Sequence, residues 1–235
     1  MKTITAEIVT EDLVFPEGPR WREGKLYFSD FLDKRVATLD PATGNVETIV
    51  KLDDDAPSGL GWRADGTLLI VSMERQQLVS FDGKSVSVVA ELGHLAGGRT
   101  NDMIVDAKGG AYIGNFGFDM MGHAEPQKTV LIYVSPEGEP RAVADDLFFP
   151  NGMVLQKNGR VLVVAETYAH QLTAFDVAGD GSLSGKRVFA KFGEDVFPDG
   201  ISADEKGNIW VSTARDGRCV YVAQGGEVSA EVHIA

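Results

Sequence analysis

Five oxygen-bearing side chains recur at the start of a repeated sequence motif. They are Glu17, Ser58, Asn101, Asn151 and Asp199, and successive members are separated by 41, 43, 50 and 48 residues. Carboxylate and amide oxygens are the ligands that hard divalent cations such as calcium and magnesium prefer. Because no histidine or cysteine is among the five, a conventional structural zinc site is not expected. The pattern indicates an oxygen-rich metal site, provided that the fold brings these positions together.

The same positions have a plainer interpretation as turns. Glu17, Asn151 and Asp199 each lie between a proline and a glycine, and such tripeptides are common in turns that hold no metal. Taken together, equivalent positions of a ring favour the metal, because carboxylates that converge without a cation repel each other.

The spacing of the motif matches one four-stranded blade of a β-propeller. Each repeat continues with an apolar strand, a glycine-bearing turn such as Ala64-Asp65-Gly66 or Lys157-Asn158-Gly159, and a second apolar strand. Asp-Gly and Asn-Gly are strong hairpin signals because glycine adopts positive φ without steric cost. No amphipathic helix of useful length is expected, and residues 119–128 form the one long irregular segment. The sequence predicts an all-β propeller that occupies residues 1–235 as one domain.

In such a ring the repeat-start positions lie where each innermost strand enters the central channel, so their side chains point toward one another. The longer, less uniform loops lie on the same face of the disc, and functional residues concentrate in loops on a rigid frame. Only five repeats are visible. Residues 2–10 have the pattern of a lone strand that is suited to completing the last sheet.

Composition excludes several function classes. With 43% hydrophobic residues among 235, the chain can bury a sizeable core, and no apolar run approaches the roughly 18 residues of a membrane span. The N-terminus lacks the apolar stretch of a secretory signal. Cys219 is the only cysteine, so no internal disulfide forms, which fits a cytoplasmic location. A net charge of −13 opposes nucleic-acid binding and favours cations.

Four motifs resemble the senescence-marker protein (regucalcin)/gluconolactonase/luciferin-regenerating-enzyme family. They begin at Phe15, Arg99, Phe149 and Phe197 and read FPEGPRW, RTND, FPNG and FPDG. The resemblance implies a six-bladed propeller with one divalent metal ion held by Glu17, Asn151 and Asp199. It also implies that Arg99 and Asn101 contact the substrate. The chain departs from the family after its fifth repeat, where a sixth blade is expected.

The resemblance further implies an enzyme that opens the ring of a sugar lactone or a similar small lactone. A cation in the channel polarises the carbonyl, and Asp199 is the candidate base that activates water; a role as ligand only is equally open. Asp119 and His123, in the long loop, are candidate substrate contacts. Calcium is the preferred ion, with zinc, manganese and magnesium also accepted by such sites.

Two other functions remain open from the sequence. One is a non-catalytic calcium-binding or interaction propeller, since propellers serve as binding platforms as readily as enzymes. The other is a metal-dependent esterase or phosphotriesterase, which uses the same Lewis acid and water. The expected partner is a small-molecule lactone, with no nucleic acid and no membrane, for a monomer or homodimer.

Overall fold

The computed structural model describes residues 8–11, 13–52 and 54–233 and contains five four-stranded antiparallel sheets. In each sheet the strands are hydrogen-bonded in their order along the chain, so each sheet is a meander. The innermost strands of successive sheets pack side by side around a channel. The prediction of an all-β propeller built from four-stranded blades is therefore confirmed.

The strands of each blade follow one another along the chain. Blade 1 contains β1 (Pro16–Arg22), β2 (Lys25–Asp30), β3 (Arg35–Leu39) and β4 (Val46–Lys51). Blade 2 contains β5 (Pro57–Trp62), β6 (Leu68–Ser72), β7 (Gln77–Phe81) and β8 (Val86–Glu91). Blade 3 contains β9 (Thr100–Val105), β10 (Ala111–Asn115), β11 (Thr129–Val134) and β12 (Pro140–Leu147). Blade 4 contains β13 (Pro150–Gln156), β14 (Val161–Glu166), β15 (Gln171–Val177) and β16 (Leu183–Lys191). Blade 5 contains β17 (Pro198–Ala203), β18 (Ile209–Thr213), β19 (Arg218–Val222) and β20 (Val228–His233).

The core lies between blades, and this explains the unbroken apolar runs in the second strands. Successive side chains of a strand point to opposite faces of its sheet. In β6, Ile70 packs toward blade 1 beside Val36, whereas Leu69 packs toward blade 3 beside Ile113. Both faces of β6 are therefore covered, and all five of its residues are buried.

Among the described residues, another blade covers only one face of blade 5. Along β18 the buried residues Ile209 and Val211 pack against blade 4, while Trp210 and Ser212 on the other face are half-buried. Five blades are described, so the sixth blade that the resemblance implied is not confirmed. Residues 8–10 are not in a strand, and the rest of the lone strand predicted for residues 2–10 lies outside the described residues.

Helical structure is minimal, as the sequence predicted. The described residues include one 3₁₀ turn, Thr167–Ala169, between β14 and β15. None of their helices has the length and apolarity that crossing a bilayer requires. The segment between β10 and β11 is irregular over residues 119–128, also as predicted.

Candidate functional site

The innermost strands are irregular where the candidate ligands stand. The pairing of β1 with β2 shifts register between Glu17 and Arg20, and that of β13 with β14 shifts between Pro150 and Met153. The other three innermost strands have a register shift next to the equivalent position. Such bulges redirect a side chain away from the regular alternation of a strand. They let the repeat-start residues point into the channel while the rest of each strand packs against its neighbours.

In two of the repeats, steric contact with the next blade explains why glycine follows the candidate ligand. A Cβ on Gly59 would lie 2.4 Å from the amide nitrogen of Met103, in the next blade. A Cβ on Gly152 would lie 2.4 Å from the carbonyl oxygen of Asp199, again in the next blade. The innermost strands therefore approach so closely near the channel that only glycine fits, which brings their polar side chains together.

A chain of hydrogen bonds links four of the five candidate positions. Ser58 Oγ donates to Asn101 Oδ1 at 3.0 Å, and Asn101 Nδ2 donates to Asn151 Oδ1 at 3.0 Å. Asn151 Nδ2 then donates to Asp199 Oδ1 at 2.6 Å. These contacts cross from blade 2 to blade 5, so the predicted convergence of the repeat-start residues is observed.

All five positions, including Glu17, line one cavity of about 330 Å³ on the face of the disc that carries the longer loops. We call this cavity the loop-face pocket. A second cavity of about 590 Å³, here called the side cleft, lies between β1 of blade 1 and the open face of blade 5. Trp21 and Trp210 form parts of its two walls. Glu17, Asn151 and Asp199 line both cavities, so these three residues lie where the cavities meet.

The two carboxylates of the site are held in a strongly acidic environment. Burial, together with the charges of Asp199 and Asp102, raises the pKa of Glu17 to about 8. Burial and the charge of Asp102 raise the pKa of Asp199 to about 6, against the hydrogen bond from Asn151, which lowers it. Carboxyl groups whose pKa values are raised by burial and mutual repulsion favour a cation as well as a proton. Strong perturbation of this kind in a pocket is typical of functional sites.

A charge pair lies beside these carboxylates. Arg20, on β1, reaches across to blade 3, where its Nη2 contacts Asp102 Oδ1 at 2.8 Å and the carbonyl oxygen of Met103 at 2.6 Å. Its Nε donates to the carbonyl oxygen of Leu60 in blade 2 at 3.1 Å. One side chain therefore ties the innermost strands of three blades together. Asp102 belongs to the motif that begins at Arg99, but no spacing in the sequence links it to Arg20.

Three predicted substrate contacts do not line the loop-face pocket. Arg99 forms an ion pair with Glu74 at 3.0 Å and, with Asp119, lines a neighbouring cavity of about 250 Å³. Asp119 is exposed and accepts a hydrogen bond from the amide of Gly122. His123 is exposed and has a positive φ of 57°. Asn101 is the one predicted substrate contact that the structure brings beside the candidate ligands.

Two buried carboxylates that are not among the predicted site residues support the pocket. Asp30, at the end of β2, accepts a hydrogen bond from the amide of Phe15 at 2.7 Å. Glu166, at the end of β14, accepts one from the amide of Phe148 at 2.8 Å. Both carboxylates are buried and fix the segments that lead into innermost strands. The signal that was available is an acidic residue closing an apolar strand.

The donor set fits a hard divalent cation. Glu17 and Asp199 supply carboxylate oxygens, and Asn151 supplies an amide oxygen, which is the chemistry that calcium prefers. Among the described residues no three histidine, cysteine, aspartate or glutamate side chains form a metal-binding group. This site differs from such a group because it pairs two carboxylates with neutral oxygens, and the nearby Asp102 is engaged by Arg20.

Comparison with known proteins shows the family of this chain. The family model described as the SMP-30/Gluconolactonase/LRE-like region matches residues 15–235. The chain belongs to this family. It is 25% identical to regucalcin of Danio rerio over 227 residues, covering 94% of this chain and 76% of that protein. It is 29% identical to the pentonolactonase XacC of Haloferax volcanii over 223 residues, covering 90% and 71%.

The fold is shared with a solved structure. The crystal structure of a calcium-binding protein, regucalcin, from Agrobacterium tumefaciens matches with a TM-score of 0.80 at 23% sequence identity. That match covers 94% of this chain and 75% of the other. A protein named as a pentonolactonase is thus among those to which this chain is similar, and the chain shares its fold with the solved regucalcin.

Proposed function

We propose that this chain is a metal-dependent lactonase that works in the loop-face pocket. The observation that carries the proposal is the convergence of Glu17, Ser58, Asn101, Asn151 and Asp199 on that one cavity. Membership of a family that includes lactonases supports the reaction class. The raised pKa values of Glu17 and Asp199 support a cation between them.

Glu17, Asn151 and Asp199 would hold the metal ion, with calcium as the preferred ion because every donor is oxygen. When bound, a divalent cation polarises a carbonyl group and stabilises the negative charge that develops on its oxygen. Ser58 holds Asn101, which in turn holds Asn151, so the amide oxygens keep their orientation through direct hydrogen bonds.

Asp199 is the proposed base. Its carboxylate removes a proton from water as the water oxygen bonds to the lactone carbonyl carbon. The ring C–O bond then breaks, and the proton held by Asp199 passes to the departing alkoxide oxygen. The product is the open-chain hydroxy acid, and Asp199 returns to its starting charge. Asn101 donates one amide hydrogen to Asn151 and would donate the other to the substrate from the pocket floor.

The test is a hydrolysis assay on γ-lactones, δ-lactones and an aryl phosphotriester, with the protein stripped of metal by a chelator and then supplied with calcium. We expect lactone hydrolysis that is lost on stripping and restored by calcium. Faster hydrolysis of the phosphotriester than of every lactone would assign the site to a different ester class. Lactone hydrolysis unaffected by chelation would reject the metal-dependent mechanism.

A further inference from the structure

The wall of the loop-face pocket is apolar, in contrast to its polar floor. Phe31, Met73, Phe116, Met120, Phe149 and Tyr168 line it above the candidate ligands, and we call this set the apolar wall. Met73, Phe116 and Phe149 are buried in one cluster, against which the other three pack. The wall is therefore a built part of the fold.

Aromatic contacts hold the wall in place. The rings of Phe116 and Phe149 lie 4.6 Å apart, and the ring of Phe149 stacks on Tyr168 at 5.7 Å with an angle of 21° between planes. Stacked and tilted aromatic pairs of this kind are favourable and rigid. The three rings together form one side of the cavity.

Among the side chains of the apolar wall, the hydroxyl of Tyr168 is the one oxygen donor that could meet a substrate hydroxyl. Thr167 donates its hydroxyl hydrogen to the carbonyl oxygen of Pro198 at 2.8 Å. Arg99, whose guanidinium would suit a polyhydroxylated ring, is paired with Glu74 beside the neighbouring cavity. Arg215 lines the pocket with its guanidinium 3.8 Å from the centre of the Phe197 ring. Most hydroxyl groups of a sugar lactone that faced this wall would therefore lie against carbon surface.

We propose, on the basis of the lactonase function proposed above, that the substrate is a lactone with an aromatic or alkyl substituent. Its carbonyl would face Glu17, Asn151 and Asp199, and its substituent would lie against the apolar wall. A buried hydroxyl without a partner lowers affinity by about tenfold or more, whereas buried carbon surface raises it. The pocket volume of about 330 Å³ suits a small molecule of this kind.

The discriminating measurement compares three lactones with the same five-membered ring on the calcium-loaded protein: γ-phenyl-γ-butyrolactone, γ-butyrolactone and ribono-γ-lactone. We expect kcat/KM for the phenyl compound to exceed that for ribono-γ-lactone by about 100-fold. In Tyr168→Ala that ratio should fall by about tenfold, because the phenyl group loses a stacking partner. Equal or faster hydrolysis of ribono-γ-lactone by the wild type would overturn the proposal.

Two further variants guard against a general loss of structure. Met121 is exposed and also lines the pocket, so Met121→Ser should lower the phenyl-to-ribono ratio with little effect on folding. Val188 is similarly exposed but lies on the outermost strand of blade 4, so Val188→Ser should leave all three rates unchanged. If both pocket variants slowed the three lactones by one common factor, the wall would have no part in selectivity.

A binding experiment separates this inference from the proposed chemistry. The lactam analogue of the phenyl compound is not hydrolysed, and its binding can be measured by calorimetry beside a hydroxylated lactam. If no lactone is turned over but the phenyl lactam alone binds, and Tyr168→Ala weakens it, the lactonase proposal fails while the assigned ligand class stands. Failure of the phenyl lactam to bind, or preference for the hydroxylated one, would reject the ligand class.

Discussion

Blades 2 to 4 share their strand order with blades 1 and 5 but are packed differently. In blade 3 every residue of β10 is buried, since both faces of the sheet have a neighbour. In blade 5 the residues of β18 alternate between buried and half-buried, and the side cleft lies on the open face. The candidate ligands come from both parts: Asn151 from blade 4, Asp199 from blade 5 and Glu17 from blade 1.

This difference suggests what a bound cation would do for the fold. The hydrogen-bond chain from Ser58 to Asp199 runs through blades 2 to 5 but does not include Glu17. Arg20 supplies the described side-chain link from β1 to β5 and β9. A cation held by Glu17 and Asp199 would join blade 1 to blade 5 across the junction of the two cavities. Metal binding and stability should therefore be coupled.

The largest effect, on catalysis, is expected at the candidate ligands, where blades 2 to 4 meet blades 1 and 5. Asp199→Asn removes the proposed base and one charged ligand while keeping the side chain's size, so kcat/KM for lactone hydrolysis should fall by about a thousandfold or more. Steady-state assays at saturating calcium measure this. Asp145→Asn, at an exposed position on β12, is the matched control and should keep full activity. A loss of less than tenfold in Asp199→Asn would remove that residue from the mechanism.

The next largest effect, on stability, is expected from the different packing of blade 2, which is covered on both faces, and blade 5, which is covered on one. Leu69→Ala, in the fully buried β6, should lower the free energy of unfolding by about 2–5 kcal/mol, because it leaves a cavity between blades. Trp210→Ala removes a larger side chain but one that borders the side cleft and packs on Tyr221, so it should cost only about 1 kcal/mol. Denaturant unfolding measures both. Equal losses would show that the two parts are packed alike.

Breaking the Arg20–Asp102 ion pair should have a smaller effect on stability. Arg20→Met should lower the free energy of unfolding by about 1–3 kcal/mol, since it leaves a buried carboxylate without its charged partner. Arg75→Met breaks the exposed pair with Asp54 and should cost about 0–1 kcal/mol. If the two substitutions cost the same in thermal unfolding, Arg20 would not be a link between blades.

The smallest expected effect is the dependence of calcium affinity on pH. The pKa of Glu17 is raised to about 8 and that of Asp199 to about 6, so the metal-free folded protein holds protons that the unfolded chain releases. Its stability should therefore decline as pH rises from about 4 through both values. Because calcium displaces those protons, its affinity should rise by up to about tenfold between about pH 7 and about pH 8. Calorimetry at the two pH values checks this. A calcium affinity that is lower at the higher pH would contradict the prediction.

Much of the architecture could be predicted because it repeats. A Pro-X-Gly motif marks four of the five entries to the channel, and Thr100-Asn101-Asp102 stands at the other. Glycine is required where innermost strands approach, as at Gly59 and Gly152. The period therefore predicted the blades, the face that bears the pocket and the convergence of the oxygen-bearing side chains. The repeat-start residues, with the turns and apolar strands that follow them, were enough to predict the ring.

Other features depend on contacts that have no period. Arg20 and Asp102 are 82 residues apart and meet only because the ring brings blade 1 near blade 3. Phe116 and Tyr168 come from loops of different blades, so no spacing marks them as parts of one wall. Arg99 matched a family motif, yet its guanidinium forms an ion pair with Glu74. Glu74 belongs to another loop, and the sequence alone does not give its position.

Calcium binding by the metal-stripped protein tests the central claim most directly. Calorimetric titration of the wild type and of Glu17→Gln should show one site in the wild type and an affinity about 100-fold lower in the variant, because one charged ligand becomes a neutral amide. Thermal unfolding should shift upward with calcium in the wild type. Absence of binding by calcium, magnesium, manganese and zinc, or equal calcium affinity in both proteins, would contradict a metal site formed by Glu17, Asn151 and Asp199.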